Sequence, residues 1–333
     1  MHLRRAADPA PPRMRDKILL IKAKGGLGNR MLSAVTGLIY ADLAGRRPVV
    51  DWRDGIYAET GVNAYPLLFD TPLTQGPEDV GNAASVTPDA WIGHLEKSPV
   101  EMIEAFDRDR HSSPTIHHKY CVDLRRTDHP EDMAVFWCYL PKMPRLARHL
   151  ARDPRFAGRD PDAIFAEYLA RYFTPNARVR AEVDRLTREL PRPVLGVHIR
   201  YTDLKIPLGK VRARIRARLE TLPGATIFLA TDNAEVQAQI TAEFGDVRVA
   251  PKYLPPSGQR LNDHRATHDK RLEAENAMID MWMLAGCDHL IYSRNSTFSI
   301  SAALIGDLPR DRQDDVDRFN PAVVLKRFVQ ARI

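Results

Sequence analysis

Near its start the chain carries a short apolar run, Ile18 to Ile21, then the glycine-rich stretch Lys24–Arg30, after which Met31, Val35, Leu38 and Ile39 recur at helical spacing. Pro48-Val49-Val50-Asp51-Trp52 reads as a second strand. Strand, loop, helix and strand in that order predict two parallel strands joined by a right-handed crossover. From about Tyr57 to Lys119 the chain is rich in Pro, Gly, Asn and Ser with few periodic segments, which predicts long loops of an acceptor or lid region. Helical spacing returns over Met143–Leu150 and Pro161–Tyr172, and Phe173-Thr174-Pro175-Asn176 breaks it.

A second alternating series starts at Val194. Val194–Ile199, Thr226–Ala230 and Val247–Ala250 read as strands, separated by an arginine-rich helix over Val211–Leu222 and another over Ala234–Phe244. After a polar loop, Pro255–Lys270, come a helix over Leu272–Ala285, a strand over His289–Tyr292, and a polar turn, Ser293–Thr297, that opens a further helix. The expected fold is α/β, with two doubly wound, Rossmann-like halves that join near residue 175 and face a cleft. Ligands of such sheets sit at the carboxyl ends of the strands, so the strand ends hold the candidate chemistry. There is no internal repeat of solenoid period. Residues 1–16, with Pro9, Pro11, Pro12 and four arginines, are expected to be a disordered basic tail.

Composition bounds this picture. At 333 residues the chain exceeds what one core usually holds, which favours two domains. Hydrophobic residues at 44% and charged residues at 28% exclude wholesale disorder. No stretch approaches the roughly 18 to 20 apolar residues that a bilayer crossing needs, and no secretory leader is apparent, so a cytoplasmic protein without an integral membrane segment is expected. Cys121, Cys138 and Cys287 form no CxxC pair and read as reduced core thiols. Lys plus Arg, 49, against Asp plus Glu, 43, leaves +6, a sign that suits an anionic ligand. No aromatic-interleaved basic face, zinc finger or helix-turn-helix spacing accompanies it, so nucleic acid is not an expected partner.

Four stretches can carry chemistry. Lys24-Gly25-Gly26-Leu27-Gly28-Asn29-Arg30 lies between strand and helix, where backbone N–H groups can approach an anion, although a tight turn without ligand would look the same. It superficially fits a dinucleotide fingerprint with Asp51 as the ribose-binding acid, but Met31 stands where a third small residue is needed. In His198-Ile199-Arg200-Tyr201-Thr202-Asp203, strand alternation puts His198 and Arg200 on one side at a carboxyl end; Arg200 is a permanently charged fork suited to a diphosphate. Asp232 ends the next strand and either faces the cleft or caps the following helix. Asn295-Ser296-Thr297-Phe298-Ser299 offers hydroxyls and free N–H groups to a phosphate, or is plain N-capping. Asp280 lies within the preceding helix on an otherwise apolar face and calls for a partner.

As a set, these stretches resemble the metal-independent, inverting fucosyltransferases that use GDP-fucose, a superfamily of GT-B type with two Rossmann-like domains. Gly25–Met31 is similar to the N-terminal loop of the α-1,2 and protein O-fucosyl members. His198–Asp203 resembles their His-x-Arg-Arg-x-Asp motif, with Tyr201 in place of the second Arg. Leu229–Asp232 and Met278–Ser299 are similar to the later motifs of the α-1,6 group, to which the rhizobial nodulation fucosyltransferases belong. The resemblance spans residues 17 to 305 but leaves 57–175 largely uncovered. It implies an acceptor-side domain over 17–175, a GDP-sugar-binding domain over 176–333, GDP-fucose as donor, a glycan hydroxyl as acceptor, and neither metal nor other cofactor. It further implies that Arg200 holds the β-phosphate, that His198 and Asp280 contact the nucleotide, that Ser296 and Thr297 add phosphate contacts, and that Gly26, Gly28 and Asp232 belong to the donor site. Asn29 matches an Asn with a catalytic role in the protein O-fucosyl members, yet it cannot accept a proton at neutral pH and could only orient. Asp203 is the nearest carboxylate for a general base, or equally the structural partner of an Arg.

Two rival classes remain open from sequence. One is a nicotinamide oxidoreductase built on Gly26 and Asp51. The other is a polyanion or nucleic-acid binder using the helix that carries Arg212, Arg214, Arg216 and Arg218. Asp107-Arg108-Asp109 is a formal DxD, but no apolar strand precedes it, and His111, His117 and His118 lack a zinc spacing.

Overall fold

In a computed structural model of the chain, residues 17–80, 83, 85–110, 115–254 and 269–332 are described. The basic tail, His111 and most of the loop 255–270 lie outside them.

The amino-terminal part begins with β1 (Ile18–Lys22), α1 (Leu27–Ala44) and β2 (Arg47–Asp51), the crossover the apolar pattern implies. There follow α2 (Tyr65–Leu68), β3 (Phe69–Asp70), β4 (Val86–Thr87), α3 (Pro99–Phe106), α4 (His117–Tyr120), β5 (Met133–Phe136), α5 (Met143–Leu150), α6 (Pro161–Tyr172) and β6 (Thr174–Pro175). β2, β1, β5 and β4 pair side by side in that order, all parallel. The expectation of long loops over 57–119 is corrected, since α2, β3, β4 and α3 fall within that stretch and β4 joins the sheet. Trp91 from the same stretch is fully buried, and β5, beyond it, lies beside β1 in the sheet. β5 has four residues, all buried, so it shows no alternation, and a polar Glu131-Asp132 pair precedes it. Periodicity cannot detect such a strand.

The carboxyl-terminal part runs α7 (Ala177–Glu189), β7 (Val194–Ile199), α8 (Leu208–Thr221), β8 (Thr226–Thr231), α9 (Ala234–Phe244), β9 (Val247–Arg248), α10 (Lys270–Ala285), β10 (His289–Tyr292), α11 (Thr297–Ile305), β11 (Gln313–Asp315) and α12 (Pro321–Arg332). Its sheet, β11-β10-β7-β8-β9, is again all parallel, with β7 in the middle. α7 and α12 escaped the sequence pattern because each buries a single residue, Val179 and Val323.

Strand alternation sorts the core into layers. Leu20, Val49 and Val135 point to the outer face of the first sheet, against Trp91, Ile103 and Trp137. Leu195, Val197 and Leu229 point to the outer face of the second, against Val211 and Ile240. Between the sheets, Leu19, Ile21 and Phe136 from one side and Phe228, Ala230 and Leu290 from the other join α1, α6, α10 and α11 in one continuous apolar cluster. Close approach needs glycine at one junction. A Cβ on Gly28 would lie 2.7 Å from backbone atoms of Thr297 and Phe298, so α1 and α11 meet amino end to amino end only because that side chain is missing.

Candidate functional site

That junction assembles the site. Asn29 Oδ1, in the first turn of α1, accepts a hydrogen bond from Thr297 Oγ1 at 2.7 Å across 268 residues of chain. Arg30 stabilises the loop from behind: fully buried, it donates through Nε to Gly25 O at 2.7 Å and bonds the Asp54 carboxylate at 3.1 and 2.5 Å. Gly26 stands at the amino end of α1 with no side-chain cap, and a Cβ there would meet only Tyr57 Oη at 3.9 Å. The two loop glycines thus differ: Gly26 borders open space, and Gly28 serves packing between the halves.

At the tip of β7, Arg200 donates to Asp203 through Nε at 2.6 Å and Nη2 at 2.9 Å, while its Nε lies 3.2 Å from Asp232 Oδ2. Burial works against its charge, but the two carboxylates hold the guanidinium firmly protonated. Asp203 is thereby the ion-pair partner of an arginine, the second of its two readings, and a proton acceptor already bound by a guanidinium makes a poor base. Of the two readings of Asp232, the structure sets aside the helix cap. Asp232 is buried, it accepts from the backbone N–H groups of Tyr201 (2.7 Å) and Thr202 (3.3 Å), and so it braces the Arg200 turn; Asn233, which accepts from Val236 N at 2.9 Å, caps α9 instead. An Asp-Asn pair at a strand end leaves open from sequence which residue caps.

His198, one turn of the pleat before Arg200, is buried, stacks on Phe298 with ring centroids 4.9 Å apart, and sets Nδ1 2.5 Å from Ser299 Oγ. Burial, then the Arg200 and Lys252 charges, push its imidazole down to about 3, so it is neutral at physiological pH and can donate from one ring nitrogen only. Ser296 precedes α11 without capping it by its hydroxyl, which leaves that group and the first N–H groups of a nine-residue helix at the junction. Asp280, on α10, pairs with Lys252 through Oδ2, whereas its Oδ1 is buried without a hydrogen-bond partner among the described residues; burial raises this carboxyl despite the lysine.

Three further residues of this neighbourhood had no role assigned from the sequence, although Lys24 and Ser299 lie within its motifs. Tyr57 is buried against Arg30, at 5.0 Å from its guanidinium, and feels the Arg200 charge from the opposite half. Lys24 is 2% exposed, its Nζ has no hydrogen-bond partner among the described residues, and it lies 5.4 and 4.9 Å from the ring centroids of Trp137 and Tyr139; burial lowers it to about 8. Ser299 was part of a motif but carried no assigned role. Only the glycine loop itself hinted at them, since all three touch it or the helix it abuts.

The rivals fare poorly on the same geometry. Asp51 is buried between Lys22 Nζ (2.7 Å) and Arg53 Nε (2.9 Å), bonds that outweigh burial and keep it ionised and occupied, so no carboxylate is free for a ribose. On α8, Arg212 and Arg216 converge on Glu243 and Arg218 pairs with Asp314, so three of the four arginines of the basic row are engaged and two of its four charges are balanced. Asp107 of the formal DxD is bonded to Lys119 at 2.6 Å. Among the described residues no group of three His, Cys, Asp or Glu side chains could hold a metal.

No family model matches the chain. Over 315 residues it is 25% identical to Nodulation protein Z of Azorhizobium caulinodans, covering 84% of this chain and 87% of that one. Over 342 residues it is 25% identical to Nodulation protein Z of Bradyrhizobium diazoefficiens, covering 95% and 86%. Among solved structures, NodZ α-1,6-fucosyltransferase soaked with GDP-fucose superposes with a TM-score of 0.62 at 22% identity, covering 87% of this chain and 93% of that one. Arabidopsis thaliana FUT1 in complex with GDP superposes with a TM-score of 0.56 at 16% identity, covering 90% and 72%. The fold is therefore that of GT-B-like glycosyltransferases, as the sequence implied.

Proposed function

We propose that this chain is an inverting, metal-independent fucosyltransferase of the NodZ type, which transfers fucose from GDP-fucose to a glycan hydroxyl, with α-1,6 linkage on an oligosaccharide acceptor. The observation that carries the reading is the convergence of four separated motifs: Asn29 on Thr297, Gly28 on Thr297 and Phe298, His198 on Phe298 and Ser299, and Arg200 on Asp232. Departure of GDP from an oxocarbenium-like sugar builds negative charge on the β-phosphate, and donors already in position stabilise it without reorganising. Arg200, preset by Asp203 and Asp232, supplies the permanent charge. The Ser296 and Thr297 hydroxyls and the amino end of α11 supply neutral donors beside it. Neutral His198 adds one ring N–H, and the unpartnered Oδ1 of Asp280 is suited to a nucleobase edge that offers paired N–H groups, as guanine does. Asn29 orients and does not accept the acceptor proton; Asp203 and Asp232 act as positioning residues. The chain divides functionally into an acceptor side, 17–175, and a donor side, 176–333. Three unbridged thiols are compatible with a cytoplasmic setting.

GDP at about 100 times its dissociation constant should stabilise the protein by about 2.7 kcal/mol, and NAD should leave its melting temperature unchanged. GDP release should be faster from GDP-fucose than from GDP-mannose over a panel of chitooligosaccharides and other glycans. A protein stabilised by NAD and indifferent to GDP would overturn the proposal.

A further inference from the structure

α12 turns an apolar side away from the other described residues. It rests on the body through Val323, 7% exposed, and through Arg327, whose Nε donates to Arg294 O at 3.0 Å. On the opposite side Val324, Leu325, Phe328 and Val329 follow one another at helical spacing and are 39, 63, 53 and 38% exposed, and Phe319 in the turn before the helix is 86% exposed. An apolar stripe of this kind would ordinarily be covered. Its flanks are uniformly basic. Arg318, Lys326 and Arg332 are exposed around it, with the Arg332 guanidinium 3.6 Å from the Phe328 ring centroid and that of Arg318 5.5 Å from Phe319. Between residues 316 and 332 the one acid is Asp317, which is buried and hydrogen-bonded to Ser293 and to Asn320 at 3.1 Å. Along residues 316–332 the face therefore offers apolar side chains and exposed charges that are all cationic.

We propose that α12 and Phe319 dock this protein on an anionic lipid surface. Apolar side chains enter the boundary between headgroups and acyl chains while Arg318, Lys326 and Arg332 meet lipid phosphates, the arrangement by which interfacial amphipathic helices bind. The charge pattern selects this occupant. A second copy of the chain would bring like charges together across a two-fold axis, and a nucleic acid would leave the apolar stripe unused. The consequence for the cleft is one of placement: Lys326 Nζ donates to Asn295 Oδ1 at 3.2 Å, and Asn295 directly precedes Ser296, so a protein seated on α12 holds its donor site close to the lipid surface.

Co-sedimentation of the full chain with phosphatidylcholine vesicles, and with vesicles in which roughly a third of the lipid is phosphatidylglycerol, tests this. Preferential pelleting with the anionic vesicles by about tenfold or more, lost at high salt, is expected. Leu325→Glu with Phe328→Glu, and separately Phe319→Ser outside the helix, should each abolish most of the binding while thermal stabilisation by GDP stays as in the parent, which excludes misfolding. Failure of the parent to prefer anionic vesicles overturns the proposal, and so does binding that survives both variants. A dimer in solution that the variants dissociate would likewise overturn it by assigning the face to a second copy.

Discussion

Arg200 is a case where the pairing of one side chain decides its chemistry. A guanidinium at a strand tip would sweep through many rotamers, but bonds to Asp203 and Asp232 fix its plane and leave it 29% exposed for a ligand. Arg200→Ala should lower turnover with GDP-fucose by about 10²- to 10³-fold, while circular dichroism shows the fold intact. Lys24 shows the opposite situation, an ammonium buried without a hydrogen-bond partner among the described residues, which costs of the order of 1–3 kcal/mol. Lys24→Met should raise the melting temperature, and a fall would show that the amine has a partner in solution. His198 sets a pH dependence. Its imidazole titrates near 3 when folded against 6.5 ordinarily, so between those values the unfolded chain binds more protons. Stability therefore falls as pH drops from 6.5 towards 3, and above 6.5 this contribution is constant. Denaturant titrations should show a flatter acid limb for His198→Gln than for the parent.

Among the elements, the contact of α1 with α11 is the one on which the site depends, because it joins a loop of one half to a helix terminus of the other. Gly28→Ala would thrust a Cβ into backbone atoms 2.7 Å away and should cost about 1–3 kcal/mol, since neither helix can yield without moving its sheet. Gly26→Ala, with ordinary backbone angles and open space beyond, should leave stability nearly unchanged. Chemical denaturation of the two variants distinguishes packing from ligand approach: equal losses would contradict the division of labour between the two glycines. The Asn29–Thr297 bond can be measured directly by a double-mutant cycle, where a coupling of about 0.5–1.5 kcal/mol is expected.

At the scale of the molecule, the apolar cluster between the sheets belongs to both halves at once, so the two sheets cannot unfold independently without exposing each other's inner faces. Fluorescence of Trp52, Trp91, Trp137 and Trp282, which lie in both parts of the chain, should report the same melting midpoint as far-ultraviolet circular dichroism. Two separated transitions would contradict a shared core. The strands of the second half and the crossover around α1 were legible in the sequence because parallel strands buried on both faces appear as short apolar runs and crossover helices as a period near 3.6. The four motifs were legible for the same reason: each sits where such a run ends. Sequence alone could not reveal β5, too short to show a period, nor helices such as α7 that bury one residue fully. Nor could it say whether Asp203 was base or partner, whether Asp232 or Asn233 capped α9, or that Gly28 serves packing, because each depends on an atom many residues away along the chain. What residue order determined by itself is which groups stand at the strand ends; which of them meet, and which are already occupied by an ion pair, only tertiary packing decided, since distance along the chain carries no information about distance in space.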